Sequence, residues 1–445
     1  MHGWWNPELD QISATVKRHQ ANVHLNPHNK DLADLARTAR NSRRNAIRSA
    51  KQSYTMLKLQ ATNPQTVWKV LKKSRPAHTK AISPLDGQES FKDKCHVLRT
   101  TLFPTPTPGT DIPELKQPLK DLRNATAAIS CSEISRSIKH CNRKSACGYD
   151  RIPYLVIEKA HDHRPDLLTN LFQCCMTFGY FPKVWKHANC IVIPKGGRRN
   201  PHAPNSYRPI SLLSNISKAF EKITAKRIAQ DAIQIGALSS TQFGAIENRS
   251  AIDALFAITH PASEALSVRV RPGKPRPDRP SLLANDIRGA FNNTDPIRLT
   301  RIMETRQMPS YLTRWVTSFV QNRTLSFYFD NCSEPPQPYG SGLPQGSPAS
   351  PVLFLIYAQG LLETPGNPKE KDISYLDDDG ALQLSTSPAL AVNHLQERMD
   401  RRVKRGAQLN LPYDLEKSGL IHFWTQRNKH KPQETSSQPP VVMEP

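Results

Sequence analysis

The chain has 445 residues, of which 37% are hydrophobic, and its 61 lysines and arginines outnumber 38 aspartates and glutamates, giving a formal net charge of +23. Such an excess favours a polyanionic partner, with nucleic acid ahead of an anionic membrane surface. The longest apolar run (351–358) is far shorter than the roughly 20 residues of a membrane span, and eight cysteines without a CxxC pair argue against a zinc knuckle. We therefore expect an intracellular protein with no membrane segment.

The first part of the chain is predicted to be a basic helical extension, residues 1–103. Residues 36–75 contain eleven lysines and arginines and no acidic residue. Spacings of three and four place five of them on one helix face: Arg37, Arg40, Arg44, Arg48 and Lys51. This face is either a solvated surface or a surface that binds nucleic acid, and the lack of neighbouring acids leaves the second interpretation open.

Beyond this extension we predict three segments. A proline-rich linker covers residues 104–118, a globular region covers residues 119–426, and a disordered tail covers residues 427–445. Helical and strand patterns alternate irregularly in the globular region, and no internal repeat is present.

An unusual acidic stretch, ISYLDDDGAL, lies near the end of the globular region. Apolar residues flank three consecutive aspartates, Asp377, Asp378 and Asp379, so the carboxylates are predicted at a hairpin tip that emerges from a packed sheet. Carboxylates that close raise one another's pKa unless a cation lies among them, and oxygen ligands favour Mg²⁺. The alternative is an ordinary acidic surface turn.

A second apolar strand ends at Asp286, in LLANDIRGAF. One aspartate on this strand and two on the hairpin would suit two metal ions about 3.5–4 Å apart. Between the two strands lies GLPQGSPASP, in which glycines permit close backbone approach. We expect Ser347 to cap the following helix, with Pro348 at its first position; turn chemistry does not explain Gln345.

These stretches, in this order, resemble the reverse transcriptases of non-LTR (LINE-type) retrotransposons. The resemblance rests on Asp286 followed five residues later by Phe291, on GLPQGSPASPVLF, on YLDD and on LEKSGLIHF, with SYRPISLLSNISKAFEKI and CIVIPKGG upstream. It covers roughly residues 130 to 425. It implies an α+β right-hand polymerase fold, with fingers, a palm built on an antiparallel sheet and a partial thumb.

The resemblance also implies partners and residue roles. The partners are an RNA template, a DNA primer and deoxynucleoside triphosphates, with two Mg²⁺ ions for which Mn²⁺ can substitute, in the nucleus or in a cytoplasmic ribonucleoprotein. The catalytic and metal-binding residues would be Asp286, Asp377 and Asp378, with Lys417 as the proton donor to pyrophosphate. The nucleotide-binding residues would be Lys195, Arg208, Phe291 and Gln345. Asp379 has no role in the family pattern and is interpreted as a turn residue.

Several positions depart from the family pattern. Asn292 stands where the family usually has aspartate, and Arg151 stands where it usually has glycine. These departures keep open a catalytically decayed remnant that only binds RNA or DNA. An RNA-dependent RNA polymerase is a further alternative, but the aromatic Phe291 argues against it, since that class would favour a small residue there.

Overall fold

The structure is a computed structural model, and it describes residues 5–26, 29–60, 81–103, 128–143, 145–197, 199–268, 278–339, 341–362 and 367–424. The chain divides into two compact units, Met1–Ala77 and His78–Pro445. The predicted linker at 104–118 and the predicted tail at 427–445 lie outside the described residues. None of the helices formed by the described residues has the length and apolar character that a membrane span requires.

The described residues of the first unit form two helices, α1 (Pro7–Leu25) and α2 (Lys30–Gln60). Asn6 caps α1, its side chain accepting a hydrogen bond from the Leu9 amide, and proline follows at the first helical position. The predicted basic helix is therefore present in α2.

The second unit contains eleven further helices and nine strands among the described residues. The helices are α3 (Phe91–Leu102), α4 (Cys131–Lys139), α5 (Tyr154–His163), α6 (Pro165–Phe178), α7 (Asn215–Gln234), α8 (Ala251–Ser267), α9 (Ala290–Asn293), α10 (Pro296–Thr305), α11 (Ser310–Val320), α12 (Ser350–Ala358) and α13 (Pro388–Leu409). The strands are β1 (His187–Pro194), β2 (Tyr207–Leu212), β3 (Arg279–Asp286), β4 (Arg323–Phe329), β5 (Cys332–Ser333), β6 (Gln337–Tyr339), β7 (Glu370–Tyr375), β8 (Asp378–Ser385) and β9 (Gly419–His422). The predicted α+β class is confirmed.

A five-stranded mixed sheet has the order β2-β1-β4-β5, with β6 also paired to β4. Its apolar face packs against α3, where Cys95, Leu98 and Leu102 join the same buried cluster as Cys190 and Phe327. This packing places the unit boundary at residues 77 and 78 rather than after residue 103. A sequence pattern cannot reveal that α3 belongs to the second unit, because more than 80 residues separate α3 from the strands that cover this helix.

A four-stranded sheet of order β7-β8-β3-β9 is antiparallel throughout. Its two faces are buried separately. Leu283 and Ala381 face the largest apolar cluster together with Leu395 of α13, whereas Leu282 and Leu382 form a smaller cluster with Ala254 of α8. Helices on both faces hold this sheet, so the carboxyl end of β3 is fixed relative to the β7–β8 hairpin.

Arg151 has a left-handed backbone conformation, with φ of 56°. Glycine adopts this conformation without steric cost, whereas a residue with a Cβ is strained there by about 1 kcal/mol or more. We expect Arg151→Gly to raise the free energy of unfolding by up to about 1 kcal/mol, measured as the denaturant midpoint. Arg151→Ala keeps the Cβ and serves as the control; equal stabilisation by both variants would contradict this explanation.

Candidate active site

The β7–β8 hairpin closes with a two-residue turn, Leu376 and Asp377, because Tyr375 pairs directly with Asp378. Leu376 has a φ of 61°, and its amide donates to Oε1 of the buried Gln242 at 3.3 Å. A bulky residue in this left-handed conformation is strained, so the surrounding contacts determine the turn. The predicted hairpin is present, with Asp377 at its tip and Asp378 at the start of β8.

Asp379 does not belong to the turn, and its interpretation as a turn residue was wrong. Strand residues alternate between faces, so Asp379 points away from the side that Asp378 faces. It is 4% exposed, and its carboxylate accepts a hydrogen bond from Arg402 of α13 at 2.9 Å. The three aspartates therefore do not gather around one point: only the first two lie on the side of Asp286.

Asp286 and Asp378 are direct register partners on adjacent antiparallel strands. The Asp377 carbonyl accepts a hydrogen bond from the Ile287 amide at 3.1 Å, which brings the hairpin tip beside the end of β3. Burial raises the pKa of Asp377, and the charges of Asp286 and Asp378 raise it further. Burial and the Asp286 charge likewise raise the pKa of Asp378. The three predicted catalytic carboxylates thus repel one another across the sheet end.

Lys417 also lies at this sheet end. Its Nζ donates to the Asp286 carboxylate and lies 3.3 Å from Oδ2 of Asp414. The hydrogen bond to Asp286 is the main reason that the pKa of Lys417 is raised. Sequence reasoning missed Asp414, although it stands three residues before Lys417; its amide donates to the Asp286 carbonyl at 2.7 Å.

The donor set at this position suits a hard divalent cation, because mutually repelling carboxylates at a sheet end are neutralised by such an ion. Asp286, Asp377 and Asp378 would be its ligands. Among the described residues, no three histidine, cysteine, aspartate or glutamate side chains are close enough to form a ready metal-binding group. The cation that contacts the Asp286 carboxylate in this structure is the Lys417 ammonium group, which neutralises part of the charge of Asp286.

Lys195 and Arg208 supply positive charge near these carboxylates. Lys195 follows β1, and its amide donates to the Ser206 carbonyl at 2.8 Å, while Arg208 lies on the paired strand β2 opposite Ile193. Burial lowers the pKa of Lys195, as do nearby cationic groups that include Arg208, whereas Asp286 raises it. The structure thus brings Lys195 within electrostatic range of both Arg208 and Asp286.

The loop 342–349 packs against α9 and β2. The Leu343 amide donates to the Phe291 carbonyl at 2.7 Å, and Nε2 of Gln345 donates to Oδ1 of Asn292 at 3.3 Å. A Cβ at Gly346 would lie 2.5 Å from the carbonyl oxygen of Ser211, so glycine is required for this close approach. The predicted nucleotide-binding residues Phe291 and Gln345 therefore lie on neighbouring segments.

Ser347 does not cap the following helix, which begins at Ser350 after an Ala349 cap. Pro348 therefore lies before the helix, and the proline in its first turn is Pro351. The Ser347 Oγ instead donates to the carboxylate of Glu221, a fully buried residue of α7. The predicted cap was wrong because the helix begins three residues later: the Ser347 hydroxyl accepts from the Ala349 amide at 3.1 Å, before the helix, and the same hydroxyl donates to Glu221. Sequence reasoning missed Glu221, whose burial raises the pKa of its carboxyl.

The five basic residues of α2 lie in the other compact unit, Met1–Ala77, and all five are exposed. Arg37 Nη2 lies 3.0 Å from Oδ1 of Asp34, an acid that stands just before the acid-free stretch. This contact is exposed to solvent and contributes little energy. The structure confirms the helix and its exposed basic face.

Three carboxylates at the end of an antiparallel sheet, a lysine on one of them and a glycine-rich loop beside an aromatic residue are together typical of nucleic-acid polymerases. The family model described as "Reverse transcriptase (RNA-dependent DNA polymerase)" matches residues 193–433, more than half of the chain. The chain therefore belongs to the reverse transcriptase family, in its non-LTR, LINE-type group.

Two curated relatives illustrate the similarity. The RNA-directed DNA polymerase from mobile element jockey of Drosophila melanogaster is 27% identical over 382 residues, which cover 82% of this chain and 40% of the relative. The retrovirus-related Pol polyprotein from type-1 retrotransposable element R1 of Bradysia coprophila is 23% identical over 376 residues, covering 81% of this chain and 35% of the relative. The chain thus spans less than half the length of these relatives.

Proposed function

We propose that this protein is an RNA-directed DNA polymerase that adds deoxynucleotides to the 3′-hydroxyl of a DNA primer on an RNA template. The observation that carries the proposal is that Asp286, Asp377 and Asp378 all lie at one end of the four-stranded sheet, where Asp286 pairs with Asp378 and Asp377 precedes it in the hairpin turn. Two Mg²⁺ ions, or Mn²⁺ in their place, would supply activation of the 3′-hydroxyl and neutralisation of the triphosphate when bound.

The two sheets of the second unit correspond, in this proposal, to parts of a right-hand polymerase. The four-stranded antiparallel sheet with the carboxylates is the palm, and the five-stranded sheet with α7 belongs to the fingers. The segment after α13, which carries Lys417, begins the partial thumb. Supporting this assignment, the loop 342–349 contacts both Ser211 of β2 and Phe291 beside β3, so it joins the two sheets.

Each charged residue has a distinct task in this proposal. Asp286, Asp377 and Asp378 hold the metal ions, while Lys195 and Arg208 neutralise the triphosphate with direct positive charge. Lys417 holds a proton, because its hydrogen bond to Asp286 raises its pKa, and this suits the protonation of the leaving pyrophosphate.

Gln345 and Phe291 would contact the incoming nucleotide. The Gln345 amide, oriented by Asn292, supports the pair between template base and nucleotide. Phe291 packs against Phe354, with ring centroids 5.6 Å apart, and this packing restricts the movement of its ring. The ring would form the floor of the sugar pocket and exclude a 2′-hydroxyl.

Phe291→Val is therefore expected to admit ribonucleotides. Removing the ring opens space for the 2′-hydroxyl. The loss of this steric exclusion should lower the preference for deoxynucleotides by about 1–3 kcal/mol, or roughly 10- to 100-fold. The measurement is kcat/KM for a ribonucleotide and for the matching deoxynucleotide on one RNA template. Phe256→Val, at an exposed aromatic residue of α8, is the control; an unchanged preference in Phe291→Val would place discrimination elsewhere.

Primer extension on RNA with Mg²⁺ separates this function from the decayed remnant that only binds nucleic acid. An RNA-directed DNA polymerase extends the primer with deoxynucleotides. The same assay supplied with ribonucleotides instead tests the alternative of an RNA-dependent RNA polymerase. Template binding without extension, under varied Mg²⁺ and Mn²⁺ concentrations, would favour the remnant.

A further inference from the structure

Behind the proposed catalytic carboxylates lies a buried ionic network, defined here as Asp372, Asp379, Arg398, Arg402 and Tyr413. Each of these side chains is at most 6% exposed. Arg402 donates to Asp379 at 2.9 Å and also contacts Asp372, which Arg398 contacts as well. Buried charges are expensive unless paired, so two aspartates and two arginines balance each other here.

Asp379 occupies a special position in this network. It is the residue after Asp378, and its carboxylate also accepts a hydrogen bond from the Tyr413 hydroxyl at 3.3 Å. It therefore connects three elements that are distant in sequence: β8, α13 through Arg402, and the segment 412–417.

The segment 412–417 in turn contacts the end of β3. Tyr413 forms an isolated antiparallel bridge with Ile287, and the Pro412 carbonyl accepts from the Arg288 amide at 2.8 Å. The next residue, Asp414, donates its amide to the Asp286 carbonyl, and Lys417 lies on the Asp286 carboxylate. A displacement of Tyr413 would therefore be transmitted to the lysine and to the first metal ligand.

We propose that Asp379 is a positioning residue of the catalytic centre. Its buried carboxylate holds Arg402 and Tyr413 and thereby fixes β8 and the segment 412–417, so that Asp378 and Lys417 both face Asp286. The inference rests on the proposed polymerase function. It assigns a role to a residue that touches neither nucleotide nor metal and acts through its neighbours.

Tyr413→Phe is the sharpest test, because it removes one hydroxyl and leaves every buried charge paired. The matched control is Tyr357→Phe: that hydroxyl is also buried and donates to the Leu409 carbonyl at 2.6 Å, outside the network. Two quantities are measured: hydrogen exchange of the backbone amides of residues 413–417, and the Mg²⁺ concentration that gives half-maximal primer extension.

We expect Tyr413→Phe to accelerate exchange of the amides of residues 413–417 about fivefold and to raise the half-maximal Mg²⁺ concentration about threefold, with neither change in Tyr357→Phe. Asp379→Asn keeps the side-chain shape but removes the charge, and should enlarge both effects to about tenfold. Unchanged exchange in Tyr413→Phe, or equal changes in both tyrosine variants, would overturn the proposal.

The two readouts also separate this inference from the proposed function. If the parent chain does not extend primers, hydrogen exchange still decides whether Asp379 and Tyr413 hold the segment 412–417. If the parent is active and exchange is faster in Tyr413→Phe without any change in Mg²⁺ requirement, the network is structural only, and the positioning role is refuted.

Discussion

Asp377→Asn is expected to lower the rate of RNA-templated primer extension about 1000-fold while leaving RNA affinity unchanged. The substitution keeps the shape of the side chain but removes the negative charge that would bind a metal ion. A loss of this size corresponds to about 4 kcal/mol of transition-state stabilisation, which is in the range that a metal ligand supplies. The measurements are single-turnover extension and equilibrium binding of a primer–template.

A second readout of the same variant does not depend on catalysis. Mg²⁺ that binds the folded state raises the melting temperature of the parent chain, and Asp377→Asn should lose this response. Asp400→Asn is a matched control, because Asp400 is exposed on α13 and accepts from the Gln396 amide at 2.7 Å. Full extension by Asp377→Asn would show that the metal ligands have been misassigned.

Replacing Arg37, Arg40, Arg44, Arg48 and Lys51 by glutamine is expected to weaken RNA binding and to flatten its salt dependence. Each phosphate contact contributes about −0.7 to the slope of log affinity against log salt on single strands, so five contacts contribute about −3.5. Between 50 and 200 mM salt, those contacts account for a loss of affinity of about 100-fold. The measurement is a salt titration of RNA affinity.

Two controls make this test specific. A variant with lysine at the four arginine positions keeps the charge and should keep the slope, because counterion release depends on charge rather than on side-chain geometry. Extension at saturating template should persist in the glutamine variant, since every proposed metal ligand lies in the other compact unit. Equal slopes for the parent and the glutamine variant would identify the basic face of α2 as an ordinary solvated surface.

The sequence by itself determined the elements whose signals are local. Apolar residues on both sides of the aspartates predicted the β7–β8 hairpin, and the spacing of the basic residues predicted α2 with its exposed face. The order of the motifs indicated the family, because each motif combines residue types that turn or strand preference alone does not require.

Only the tertiary structure decided the contacts between segments that are distant along the chain. The sequence alone suggests that Asp379 is a turn residue, but in the structure it is buried against Arg402 of α13. The sequence also suggests that Ser347 caps a helix, but that helix begins at Ser350 and the Ser347 hydroxyl donates to the buried Glu221. In the same way, the sequence alone assigns α3 to the basic extension, whereas in the structure the five-stranded sheet buries the apolar face of α3. In each case a buried partner from another element outweighs the local preference, because a paired polar group or a covered apolar face contributes more energy than a turn or cap preference.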